Sequence, residues 1–131
     1  MASRLLSDLA PGVRSAAVLF VDLCGKDGLR VLIYCTLRSN HEQALLYASG
    51  RTVPGQILTN ARPGESLHNA DAAGHAWAFD AVPLMPDGAP AWGAVSSIER
   101  MGACGEAAGL EWAGRWRGSL RERVHFQIQR G

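Results

Sequence analysis

Between Pro11 and Leu37 the apolar residues change period, and no single class of secondary structure accommodates both halves. Val13, Ala17, Phe20 and Cys24 recur at steps of three and four, which puts them on one face of a helix. Pro11 opens that helix, because the N–H it lacks has no partner in a first turn, and Gly25 with the Lys26-Asp27-Gly28 turn stops it after about Cys24. Leu29 to Leu37 then carries Val31-Leu32-Ile33-Tyr34-Cys35-Thr36, a short β-favouring run that reads as a strand buried on both faces. The pattern calls for helices packed on a sheet.

The remaining elements follow from caps and turns. Ser3 is placed to cap a short helix through about Leu9. Ser39 with Glu42 forms a capping box, and Gln43 to Ala48 completes a helix that ends at Gly50. Arg51 to Pro63 has no period and reads as a surface loop, whereas Ala76 to Val82 alternates small and large residues and suits a central strand. Pro83 to Pro90 is rich in turn formers. Val95, Ile98 and Met101 give Gly93 to Gly109 a helical face that Gly102 and Gly105 should weaken. Trp112, Trp116 and Leu120 fall in a connection before a last strand, Val124 to Ile128. The expected fold is α+β: a small single domain over residues 1–131 with a mostly antiparallel sheet flanked by helices.

At 131 residues the chain has room for one core. Thirteen basic residues against twelve acidic ones leave a net charge of +1, so no electrostatic footprint for nucleic acid or an anionic membrane exists. Cys24, Cys35 and Cys104 are odd in number and form no C-x-x-C pair, which makes them buried free thiols. The longest apolar run, Ala16 to Val21, is too short to span a bilayer, and Met1 to Asp8 lacks the apolar core of a signal peptide. A soluble cytoplasmic monomer is expected.

Chemistry concentrates in Gly64-Glu65-Ser66-Leu67-His68-Asn69 and in Ala73 to Asp80. His68 and Asp80, joined by the distant His125, make a plausible zinc set, since catalytic zinc takes three protein ligands and leaves one position open. Each also has an ordinary reading: a loop histidine, a turn former at a strand end and a core histidine. Glu122, three residues before His125, is a candidate general base for the attacking water, although Arg121-Glu122-Arg123 also reads as a solvated charge run. Residues three apart point oppositely on a flat strand, so Glu122 must lie in a turn or bulge before the strand proper. Glu111 is a second candidate base or a structural acceptor for a loop or for a ligand's second N–H. His41, in the first turn of the capped helix, faces solvent. The four tryptophans belong to core or cleft wall, with Trp112 or Trp116 lining the groove.

Cys35-Thr36-Leu37-Arg38-Ser39, Glu42-Gln43, Gly50-Arg51-Thr52, Gly64-Glu65-Ser66-Leu67-His68-Asn69, Ala78-Phe79-Asp80, Gly109-Leu110-Glu111-Trp112 and His125-Phe126-Gln127 together resemble phage endolysins of the zinc D-Ala-D-Ala carboxypeptidase family. The ordered set S-x-H, A-x-D and E-x-x-H-F is most similar to the L-alanyl-D-glutamate endopeptidases that cut the peptidoglycan stem peptide. The resemblance implies a hedgehog-like metallopeptidase fold, Zn²⁺ on His68, Asp80 and His125, and Glu122 as catalytic carboxylate. It assigns substrate contacts to Arg38, Ser66 and Trp112, with Arg38 orienting the substrate and stabilising its oxyanion. Two departures stand out. Many relatives carry H-x-x-G-x-A-x-D, whereas here the histidine and aspartate are spread by a short insertion within 69–74, which leaves His75 as a rival ligand. The catalytic position holds Glu where phage members often have Asp. Alternatives are a D,D-carboxypeptidase or dipeptidase on D-Ala-D-Ala, and a non-catalytic hedgehog-like zinc domain. The resemblance further implies a lone catalytic domain without a wall-binding module, held in the host cytoplasm until a holin opens the way to the wall.

Overall fold

The computed structural model describes residues 2–130; Met1 and Gly131, the ends of the expected 1–131 domain, lie outside the described residues. Pro11 opens helix α1 (Pro11–Lys26), and Val13, Ala17, Phe20 and Cys24 form its buried face. Strand β1 (Val31–Cys35) is followed by helix α2 (Asn40–Ala48), whose N-terminus carries the complete Ser39/Glu42 capping box. Strand β2 (Ala78–Pro83), helix α3 (Val95–Ala107) and the short strands β3 (Glu111–Trp112) and β4 (His125–Gln127) complete the order.

The four strands form one antiparallel sheet in the order β1-β2-β4-β3, so the β2 expected to be central is central. Register decides which face each residue serves, because directly opposed residues share a face and neighbours in sequence do not. Phe79 pairs with Phe126, and their rings stack 5.4 Å apart. Phe20 of α1 covers both, at 5.5 and 4.8 Å, which makes this the core face under α1 and α3. One residue further along, Asp80 pairs with His125 on one side and with Cys35 on the other. The sheet therefore turns a row of Cys35, Asp80 and His125 toward the opposite face. An irregularity between Ile33 and Cys35, at Tyr34, brings Cys35 into line with Asp80.

Four expectations change. Strand β1 lies at the sheet edge and is half-buried over most of its length, because only one neighbour covers it. The helix expected from Ser3 shrinks to a 3-10 turn at Leu6–Asp8, since the Ser3 backbone bonds instead to Thr36 and Leu37 beyond β1. Gly102 and Gly105 do not weaken α3 so much as let it approach the sheet. A Cβ on them would stand 2.3 Å from the Trp112 ring and 2.3 Å from the Phe126 ring. The connection after α3 contains β3, too short to announce itself by alternation.

Candidate metal and active site

Asp80 is the centre of the site. Its Oδ1 lies 3.1 Å from His68 Nε2 and 3.2 Å from His125 Nδ1, and the two imidazole rings meet edge to face with centroids 5.1 Å apart. Strands β2 and β4 supply Asp80 and His125. His68 comes from the irregular stretch 64–69, which is docked rather than folded into an element. Arg38 N–H donates to the His68 carbonyl, Trp77 N–H to the Leu67 carbonyl and the Asn69 side chain to the Arg38 carbonyl. Ser66 Oγ accepts from the His68 N–H at 3.1 Å, so its visible role is to shape this turn.

The far nitrogen of each ring has its own partner. His68 Nδ1 lies 2.8 Å from the Thr36 carbonyl, which can only accept, so Nδ1 carries the hydrogen and Nε2 turns to Asp80. His125 Nε2 lies 2.8 Å from Gln127 Oε1, and Nδ1 turns to Asp80. In the neutral rings two lone pairs then face a carboxylate oxygen, an arrangement that is repulsive unless a cation is shared among the three. Without a metal that cation is a proton. Burial disfavours an imidazolium at His68, but the Asp80 charge and hydrogen bond outweigh it and carry His68 from 6.5 to about 10. Burial raises the Asp80 carboxyl, yet the two histidines hold it well below the usual carboxylate range.

Among the described residues, Cys35, His68 and Asp80 place possible donor atoms within 4.8 Å of one another, a triad able to hold a metal. The Cys35 sulfur meets His68 on its Nδ1 side, at 3.7 Å, where the Thr36 carbonyl already lies. His125 Nδ1, by contrast, faces the same Asp80 oxygen as His68 Nε2. The sequence marks Cys35 as a buried thiol, which it is; its place beside Asp80 comes from strand register, which the sequence pattern does not carry.

Two further groups reach this centre. Glu122 lies in a turn closed by the His125 N–H and the Glu122 carbonyl, as its spacing requires, and its Oε2 is 3.6 Å from His125 Nδ1. Half of its side chain is open to solvent. Arg38 Nη2 is 3.8 Å from Asp80 Oδ2, while Nη1 donates to Gln43 Oε1 at 2.9 Å. Gln43 is fully buried and in turn donates to the Ala61 carbonyl, tying Arg38 to the 51–63 loop. Gln43 and Gln127 stand within the motifs that carry the family resemblance, but nothing in the sequence gives either of them a role.

These groups line a cleft of about 1100 Å³ together with Ser66, Trp116, Leu58 and Leu120. Trp112, expected at the substrate, and His75, the rival ligand, are elsewhere. Trp112 is buried in the core, where its indole packs on Gly102 and Gly114 and donates to the Arg123 carbonyl. Trp116 is the indole of the groove, 5.8 Å from the His125 ring. His75 is not among the cleft-lining residues; its backbone N–H and carbonyl are bonded to Asp71 across the insertion. His41 is exposed, as expected.

No family model matches the sequence. The chain is 33% identical over 130 residues to the peptidoglycan L-alanyl-D-glutamate endopeptidase CwlK of Bacillus subtilis (strain 168), covering 93% of this chain and 74% of that protein. The chain belongs to this peptidoglycan peptidase family. Its fold is shared with the L-Ala D-Glu endopeptidase ChiX of Serratia marcescens, at a TM-score of 0.65 and 20% identity, over 98% of this chain and 89% of that one. The LD-carboxypeptidase LdcB is also similar, with a TM-score of 0.62 and 19% identity over 91% of this chain and 64% of that one. At such identities these two likenesses establish the peptidase fold alone. The α+β domain with a mostly antiparallel sheet flanked by helices that the sequence leads one to expect agrees with that fold, and membership makes the chain a hydrolase by family.

Proposed function

We propose that the cleft is the active site of a zinc-dependent peptidoglycan peptidase that hydrolyses the L-alanyl-D-glutamate bond of the stem peptide. The observation that carries this reading is the convergence of two imidazole nitrogens, each with its other nitrogen already engaged, on one carboxylate oxygen. His68 Nε2, Asp80 Oδ1 and His125 Nδ1 are the proposed ligands. The donor set suits zinc, which takes imidazole nitrogen with an occasional carboxylate and keeps an open position in catalytic sites. Zinc bound there supplies Lewis acidity and lowers the pKa of water toward neutrality.

The protein's own groups do the rest. Glu122, exposed to the cleft and beside His125, takes a proton from the attacking water and passes it to the leaving amine. Arg38, fixed by Gln43, orients the scissile carbonyl and stabilises the developing oxyanion. Trp116, Leu58 and Leu120 give the cleft its apolar wall beside the bond. The bond assignment is supported by the named activity of the 33% identical relative. The phage setting, with release by a holin, rests on the sequence resemblance; the reading proposed here needs only access to the wall.

The decisive experiment is digestion of purified cell walls with and without a zinc chelator, followed by mass spectrometry of new termini. Chelator-sensitive cleavage between L-Ala and D-Glu is expected. Release of D-Ala instead would reassign the enzyme as a carboxypeptidase, and walls left intact by zinc-loaded protein would refute a peptidase.

A further inference from the structure

The two proposed histidine ligands are oriented by unlike partners. At His68 the partner is the Thr36 backbone carbonyl, an acceptor whatever its surroundings. At His125 it is the Gln127 side-chain amide, whose two ends are nearly the same shape but of opposite hydrogen-bonding sense. With Oε1 toward His125, the amide accepts from Nε2–H and leaves Nδ1 bare. With Nε2 toward His125, it donates to the ring, places the hydrogen on Nδ1 and blocks the lone pair that should face Asp80. Something beyond Gln127 must choose.

That group is Glu111. Its Oε1 receives Gln127 Nε2 at 2.7 Å and Gln129 Nε2 at 3.3 Å, and its Oε2 receives Trp116 Nε1 at 3.2 Å. A carboxylate can only accept, so the amide end facing Glu111 must be the donor, and the end facing His125 must be the acceptor. Gln127 is buried and cannot satisfy the reversed arrangement with water. Strand register supports the chain of contacts, since Glu111 of β3 is directly opposite Gln127 of β4, two residues beyond His125. We propose that Glu111, acting through Gln127, sets the tautomer of His125 so that Nδ1 is presented unprotonated to the cation shared with His68 and Asp80. Glu111 and Gln127 are then positioning residues, outside the reaction itself, and their role rests on the metal reading of the site.

The test compares wild type with Glu111→Gln and Gln127→Leu in the full chain. Glu111→Gln keeps shape and packing but can offer Gln127 either sense, so the amide is free to reverse. The ¹⁵N shifts of the His125 ring are read in metal-free protein that carries Asp80→Ala, so that no carboxylate competes for a hydrogen on Nδ1. At a pH where the ring is neutral they are expected to show Nε2–H when Glu111 and Gln127 are intact. A shift toward Nδ1–H is expected in Glu111→Gln. Zinc affinity by chelator competition should fall about tenfold or more in both variants, with the Glu111→Gln melting temperature close to wild type. An unchanged tautomer and affinity in Glu111→Gln would overturn the inference. So would an affinity loss that tracks a lowered melting temperature with the tautomer unmoved, because that describes a merely structural contact. Wild-type protein that fails to bind zinc or cut walls removes the functional reading, whereas the tautomer comparison still decides the role of Glu111.

Discussion

At the scale of single residues the proposed reading separates groups that bind from the group that moves a proton. Glu122 is half exposed and reaches His125 only at 3.6 Å, so removing its charge leaves the other donors in place. Glu122→Gln is expected to bind zinc as wild type does while wall hydrolysis falls about 10²- to 10⁴-fold, the usual share of a positioned acid–base group. Metal content together with turnover checks this; a metal-loaded, fully active variant would take Glu122 out of the chemistry. His68→Ala should abolish tight zinc binding and His75→Ala should not, because of these two histidines it is His68 that meets Asp80, at 3.1 Å; the reverse result would move the ligand across the insertion. The sequence names His68, Asp80, His125 and Glu122 as candidates, chiefly through the family resemblance, and the structure brings the four side chains together. The roles of Cys35, Gln43 and Gln127 were not legible there, because a glutamine that aims another side chain leaves no trace in spacing, and their neighbours are set by strand register.

At the scale of elements, the fold's periodic parts were readable and its close contacts were not. Helix α1 follows from Pro11 and its apolar face, and α2 from its capping box. The glycines of α3 show the limit, since low helix propensity was visible and the aromatic rings they admit were not. Gly105→Ala should gain up to about 1 kcal/mol of propensity but force its methyl into Phe126, and overpacking of that kind costs about 1–3 kcal/mol. A melting temperature lowered by a few degrees is therefore expected, and zinc affinity should weaken with it because Phe126 adjoins His125 on β4. A more stable Gly105→Ala protein would show that the ring yields freely. The 69–77 stretch makes a second case. Asp71 accepts from Trp77 Nε1 at 2.7 Å and from the N–H groups of His75 and Ala73, and these bonds lower its carboxyl from the ordinary 3.8 to about 2. A folded-state value below the unfolded one means the stabilisation is complete above about 3.8 and is lost as pH falls toward 2. The Trp77 indole ¹⁵N–H signal should therefore titrate with a midpoint near 2; a midpoint near 4 would mean that Asp71 does not hold the loop.

At the scale of the whole molecule the site joins parts that the sheet alone does not unite. Asp80 and His125 belong to adjacent central strands and stay together through backbone pairing. His68 arrives on a stretch without regular secondary structure, held by a few backbone and side-chain bonds to residues after β1. In the metal-free chain the contact between these parts is a charged hydrogen bond between His68 and Asp80, which a cation on the same atoms would replace. A ligand that binds only the folded chain stabilises it by RT ln(1 + [L]/Kd), or about 2.7 kcal/mol at a hundredfold excess over Kd. For a domain of this size that corresponds to a melting temperature on the order of ten degrees higher. Zinc titration followed by thermal unfolding should show this rise and a chelator should reverse it. The gain should shrink in His68→Ala even though the sheet is untouched, because the cation then no longer ties the 64–69 stretch to β2 and β4. An equal gain in that variant would place the metal on the sheet strands alone and leave His68 as a neighbour of the site.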